Sequence, residues 1–145
     1  AILFSLGTLG CPAVDNPYRP FPEPDYNLFV GSVQPVMRAS CASMGCHGQS
    51  DQSLTLYSVG YLRAPSLSKG EPMSMTRLSD AELGFNYDAL RMRLIDEEDA
   101  DTSRLLLKCL DPEVGGIEHV EDLVVFDGWD DPDFVKLLEW VETGL

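Results

Sequence analysis

Apolar positions recur at helical spacing in several stretches of the chain. Phe29, Val33, Val36 and Met37 fall on one helical face, interrupted by Gly31 and Pro35, which predicts a short, imperfect helix leading into Cys41. Ser79-Asp80-Ala81-Glu82 has the spacing of a capping box, and Leu83, Tyr87, Leu90 and Leu94 follow it as an apolar stripe. The clearest pattern is the last: Asp131 as N-cap, Pro132 in the first turn, Phe134, Leu137, Leu138 and Val141 on one face, and Gly144 as terminator. Ser103 to Cys109 reads as another short helix, and residues 53–59 alternate like a short strand. Residues 64–78, with Pro65, Gly70 and Pro72, read as loop. So do residues 111–130, with Gly115, Gly116 and Gly128. The pattern predicts a mostly α domain with long loops.

The N-terminal part has a different texture. Residues 1–10 are uncharged and mostly apolar, like the end of a signal-peptide apolar region. They run into Leu9-Gly10-Cys11, which resembles a bacterial lipoprotein cleavage site, although Thr8 stands where an aliphatic residue is usual. Cys11 is therefore a lipidation candidate, with a buried or disulfide-bonded cysteine as the alternative. Pro12, Pro17, Pro20, Pro22 and Pro24 follow. Proline fixes φ and removes backbone donors, so residues 11–26 read as an extended tether. The folded domain is expected over residues 27–145.

The chain has 145 residues, enough for one domain with a core. Its net charge is −14. Such a surface repels nucleic acid. It keeps the protein soluble and can steer a basic partner. The acidic run Asp96, Glu97, Glu98, Asp99 and Asp101 reads as a solvated turn, because its spacing is irregular for a calcium loop.

Cysteine and histidine usage changes the picture most. There are four cysteines and only two histidines, His47 and His119. Cys41-Ala42-Ser43-Met44-Gly45-Cys46-His47-Gly48 places two cysteines a short loop apart with a histidine directly after the second. Two such thiols can form thioethers to the two vinyl groups on one edge of a haem. The histidine then stands beneath the iron as proximal ligand. The commonest spacer is two residues and this one is four, so the loop must bulge, for which Gly45 is suited. Two alternatives stay open at this point. One is a Cys41–Cys46 disulfide beside an unrelated histidine. The other is a zinc site completed by His119 or Cys109, which needs about four ligands.

Together with Val33-Gln34-Pro35-Val36 ahead of it, this motif resembles the haem domains of bacterial monohaem c-type cytochromes, most nearly the single-domain cytochromes of myxobacteria and their relatives. Ser103-Arg104-Leu105-Leu106-Leu107, Gly115-Gly116-Ile117-Glu118-His119 and the terminal segment with Leu138-Glu139-Trp140 fit the same resemblance, which covers about residues 27–145. It implies a small cytochrome c-like helical domain around one covalent haem c. Cys109, where proline would be unsurprising, and the four-residue spacer depart from the pattern. In class I cytochromes the second axial ligand comes from a loop before the last helix, which favours His119. Met73 and Met75, in the proline-interrupted loop, are the alternatives, and an open site is the third. Met92 reads as core, Trp140 as core or haem-edge packing, and Cys109 as an unexplained thiol.

The expected function is electron transfer on the extracytoplasmic side of a membrane, as a periplasmic or lipid-anchored subunit of a redox complex, with redox proteins as partners. The chain reads as an electron carrier and not an enzyme, peroxidase-type activity requiring an open sixth iron position. A haem-based sensor and a cofactor-free, disulfide-stapled interaction domain are the competing expectations.

Overall fold

Asp25 begins the first helical run by accepting the Leu28 amide on its carboxylate at 2.7 Å. The run, α1, alternates α turns at Tyr26–Leu28 and Gln34–Val36 with wider π turns at Phe29–Val33 and Met37–Cys41. Pro35 has no N–H to donate and its ring crowds the preceding turn, and the wider turns flank it on both sides. Helix α2 spans Asp80–Arg91 and closes in a 3₁₀ turn at Met92–Leu94. The short α3 spans Arg104–Leu107 and α4 spans Pro132–Glu142. The computed structural model describes residues 21–65, 76–95, 97–120 and 123–145. Cys11, Met73 and Met75, and the 1–10 segment, lie outside the described residues. Among these residues the protein is mostly helical, with one isolated bridge between Leu110 and Phe126 and no strand. No described helix is long and apolar enough to cross a membrane.

The alternating stretch 53–59 forms no strand and pairs with none among the described residues. The Leu56 amide donates to the His47 carbonyl at 2.7 Å, and Tyr57 is held by the Asn86 side chain. Alternation here reflects one buried face, carrying Leu56 and Ser58, without a ladder.

The capping box of α2 forms as its spacing predicts: the Glu82 amide donates to Ser79 Oγ, and Glu82 reaches back to the Ser79 amide at 2.9 Å. The buried face is turned from the expected stripe, however. Glu82, Asn86 and Leu90 are buried, whereas Leu83 and Tyr87 are half-buried, and Met92 is exposed instead of core. Polar groups survive on that face because they are satisfied. Arg63 pairs with Glu82 through Nε and Nη2 at 2.8 Å each.

The core is built where α1 meets α4. Phe29 and Trp140 are fully buried, with ring centroids 5.7 Å apart, and Tyr87 of α2 stands edge-on to Phe29 at 5.5 Å. Truncating either Phe29 or Trp140 to alanine costs about 3–5 kcal/mol on that burial. The C-terminal part of the proline-rich stretch is docked here too. Trp140 Nε1 donates to the Asp25 carbonyl at 3.1 Å, and the Tyr87 hydroxyl donates to the Pro24 carbonyl at 2.6 Å. Pro24 and Asp25, at the end of the stretch read as tether, are therefore tied to the packed body. Residues 11–20, which would carry the rest of that tether, lie outside the described residues.

Candidate functional site

The π turn Met37–Cys41 ends α1 and delivers Cys41, buried, to the base of a tight loop. The Cys46 amide donates to the Ser43 carbonyl at 3.1 Å, and the His47 amide donates to the Cys41 carbonyl at 3.0 Å. Gly45 sits at φ 105°, the left-handed region that lets the four-residue spacer bulge. Met44 projects from the crest, 77 % exposed. Gly48 closes the loop against Ala42, where a Cβ would lie 2.4 Å from the Ala42 carbonyl oxygen. Only glycine fits there. Cys41, Cys46 and Cys109 are all free thiols, so the Cys41–Cys46 disulfide alternative is not formed. Burial, then the neighbouring Cys109 and Cys46, push the Cys41 thiol up to about 12.

His47 leaves the loop with its ring fixed. Its Nδ1 lies 2.9 Å from the Leu54 carbonyl. A carbonyl only accepts, so Nδ1 carries a proton, and in the neutral ring the lone pair is on Nε2. That is the tautomer and orientation a metal-ligating imidazole requires.

His119 arrives from the opposite end of the sequence on the loop after α3. Gly115 turns the chain at φ 103°, and Gly116 packs so closely that a Cβ would lie 2.1 Å from the Leu110 carbonyl oxygen. The Ile117 amide donates to the Leu107 carbonyl at 2.9 Å, and Lys108 Nζ donates to the Glu118 carbonyl. These ties bring His119 opposite His47, with ring centroids 5.9 Å apart and planes 24° from parallel. The two imidazoles are thus close enough to reach one group bound in the cavity they share. His119 Nδ1 is buried without a hydrogen-bond partner among the described residues. Burial, with His47 and Lys108 nearby, holds the His119 imidazole below the usual histidine range, favouring the neutral form that binds metal.

Both histidines, Cys41 and Cys46 line one cavity of about 430 Å³, together with Val120 and Leu123–Val125. The size lies within the roughly 300–1,000 Å³ of small-molecule and cofactor sites. Among the described residues, no group of three or more His, Cys, Asp or Glu converges as a metal site. A zinc ion, needing about four protein ligands, is poorly served. A group that brings its own equatorial donors and needs two axial ligands and two thiols is well served. The donor set therefore fits a haem.

Four of the residues singled out from sequence, Cys41, Cys46, His47 and His119, thus meet at one cavity. Cys109 is half-buried, with its thiol donating to the Leu105 carbonyl at 3.3 Å. Sequence reasoning missed the Leu54 carbonyl, a backbone acceptor without a residue signature, and the Leu123–Val125 wall, which fell inside a stretch read only as loop. Comparison of the chain with protein-family models, with curated proteins and with solved structures found no match.

Proposed function

We propose that this chain is a cytochrome c-like electron carrier. It holds one haem c covalently through Cys41 and Cys46, with His47 and His119 as axial iron ligands. The observation that carries the reading is the approach of the chain's only two histidines, 5.9 Å apart, over a cavity lined by both cysteines of the Cys41–His47 motif.

When bound, the haem supplies a one-electron ferric–ferrous couple. The chain's part is to bind and to tune. Cys41 and Cys46 anchor one edge. His47, oriented by the Leu54 carbonyl, is a strong and fixed donor. His119 would be the second protein ligand to a bound haem iron, which favours electron transfer over peroxide chemistry or ligand sensing. Val120, Leu123 and Val124 line the cavity with apolar side chains that are themselves exposed. The net charge of −14 favours a basic redox partner and disfavours nucleic acid. The apolar start, Cys11 and the prolines after it support an extracytoplasmic location, with Cys11 as lipid anchor to a membrane that houses the partner complex.

The visible spectrum of protein matured in a host that attaches c-type haem tests the ligand set. A low-spin spectrum that carbon monoxide and cyanide leave unchanged is expected. Rapid ligand binding would instead favour a sensor.

A further inference from the structure

We infer that Asn86 and Arg93 are positioning residues for His47, setting its strength as an iron ligand through the segment Ser53–Tyr57. The inference rests on the haem reading above.

His47 is held by two consecutive points of that segment. Its Nδ1 donates to the Leu54 carbonyl at 2.9 Å, and its own carbonyl accepts the Leu56 amide at 2.7 Å. Among the described residues the segment has no strand partner; Thr55 Oγ1 ties it to the Gln49 and Gln52 carbonyls, Leu56 is buried, and side chains from a neighbouring helix hold its two ends. Two grips come from α2 and the turn that follows, and they bracket Leu54 and Leu56. At one end, Arg93 Nη2 donates to the Ser53 carbonyl. At the other, Asn86 holds both backbone groups of Tyr57: Oδ1 accepts the amide at 2.7 Å and Nδ2 donates to the carbonyl at 2.8 Å.

Asn86 is fully buried and reaches further. Its Nδ2 also donates to Gln34 Oε1 at 2.9 Å, and Gln34 lies on α1 ahead of Cys41. One amide thus joins the helix before the Cys41–His47 loop to the segment after it. Packing adds to these ties at Leu56, which is in the core, and at Tyr57, whose ring lies 4.7 Å from that of Phe85, and is sparser over Ser53–Thr55. Between α2 and Ser53–Thr55 lies a cavity of about 400 Å³, bordered by Phe85, Ala89, Met92 and Arg93. Over that span the segment is tied to α2 by hydrogen bonds more than pressed against it.

The consequence concerns electron density at the ligand. An imidazole whose Nδ1–H donates to a carbonyl is the more basic donor at Nε2, and a stronger donor stabilises ferric over ferrous iron. If the Leu54 carbonyl drifts, the donor weakens and the potential rises.

The test uses the haem-loaded protein and its midpoint potential. Arg93→Ala leaves an exposed position and should not impair folding. Asn86→Asp keeps the acceptor for the Tyr57 amide and removes both Nδ2 donations. Arg91→Ala removes the same charge as Arg93→Ala without touching the segment, and serves as the electrostatic control. Each of Arg93→Ala and Asn86→Asp is expected to raise the ferrous-to-ferric ratio at fixed potential severalfold beyond the control. Tenfold corresponds to 59 mV for one electron. The His47 Nδ1 proton, followed by NMR in the ferrous protein, should exchange faster in both. Potentials equal to that of Arg91→Ala, with the Nδ1 proton equally protected, would overturn the inference even where stability falls. If Asn86→Asp does not fold, Arg93→Ala decides alone. A wild-type protein without covalent haem would overturn the underlying reading, and this inference with it.

Discussion

The His47 and His119 rings lie with centroids 5.9 Å apart and planes 24° from parallel, although the two residues sit on loops far apart in the sequence. Each ring is delivered by its own set of backbone ties, and the cavity they share is bordered by both cysteines of the motif. Replacing His119 tests the second-ligand position directly. His119→Ala is expected to convert a low-spin spectrum into one that responds to carbon monoxide. His119→Met is expected to raise the reduction potential, because a thioether favours ferrous iron relative to a second imidazole. Spectra and potentials unchanged in both variants would assign the second ligand elsewhere.

Two glycines build the loops that carry these histidines, and neither tolerates a side chain. At Gly48 an added Cβ would lie 2.4 Å from the Ala42 carbonyl oxygen, and at Gly116 2.1 Å from that of Leu110. Gly48→Ala and Gly116→Ala should each cost about 1–3 kcal/mol, measured by denaturant unfolding, and lower the yield of attached haem. Gly31→Ala is the contrast. Nothing lies within 4 Å of its Cβ position, and in a helical run alanine should be neutral or stabilising by about 0.5–1 kcal/mol.

Acid should expose the Arg63–Glu82 pair. The Arg63 hydrogen bonds, with help from the Ser79 and Ala64 amides, lower the Glu82 carboxyl from 4.5 to about 2. The folded state therefore binds this proton less readily than the unfolded chain. Its stabilisation is fully present above pH 4.5 and is lost as pH falls toward 2. Thermal unfolding across that window should show a steep decline in wild type. Glu82→Gln should be less stable at neutral pH and show a shallower decline. Parallel curves would mean that the pair contributes nothing.

Cys109 should be dispensable for haem attachment. It is half-buried, its thiol is pushed up to about 11 by burial, and the Leu105 carbonyl already accepts from it. Cys109→Ala is expected to carry one covalent haem as wild type does, whereas Cys46→Ser should lose a thioether and much of its attached haem. Equal losses in the two variants would make Cys109 part of the attachment chemistry.

How much of this was legible in the sequence depended on whether a feature has a residue signature. The Ser79–Glu82 capping box and the Asp131–Pro132 start of α4 each rest on a local bond that named side chains make, and both form as their spacing predicts. Cys41, Cys46 and His47 are legible because the chemistry needs those types in that order. His119 stood out through scarcity and its glycine-bearing loop. The buried face of α2 was not legible. Hydrophobicity points to Leu83 and Tyr87, whereas Glu82 and Asn86 are buried because Arg63, Tyr57 and Gln34, distant in sequence, satisfy them. The alternation at 53–59 misled for the same reason: the period of two was real, but the partner is a side chain and not a strand.

The most direct measurement of the central claim is the intact mass of the purified protein, expressed in a host with c-type haem maturation and denatured before analysis. A mass increased by one haem that survives denaturation is expected, with the increase lost in a Cys41→Ser, Cys46→Ser double variant. An unmodified wild-type mass under those conditions would contradict it.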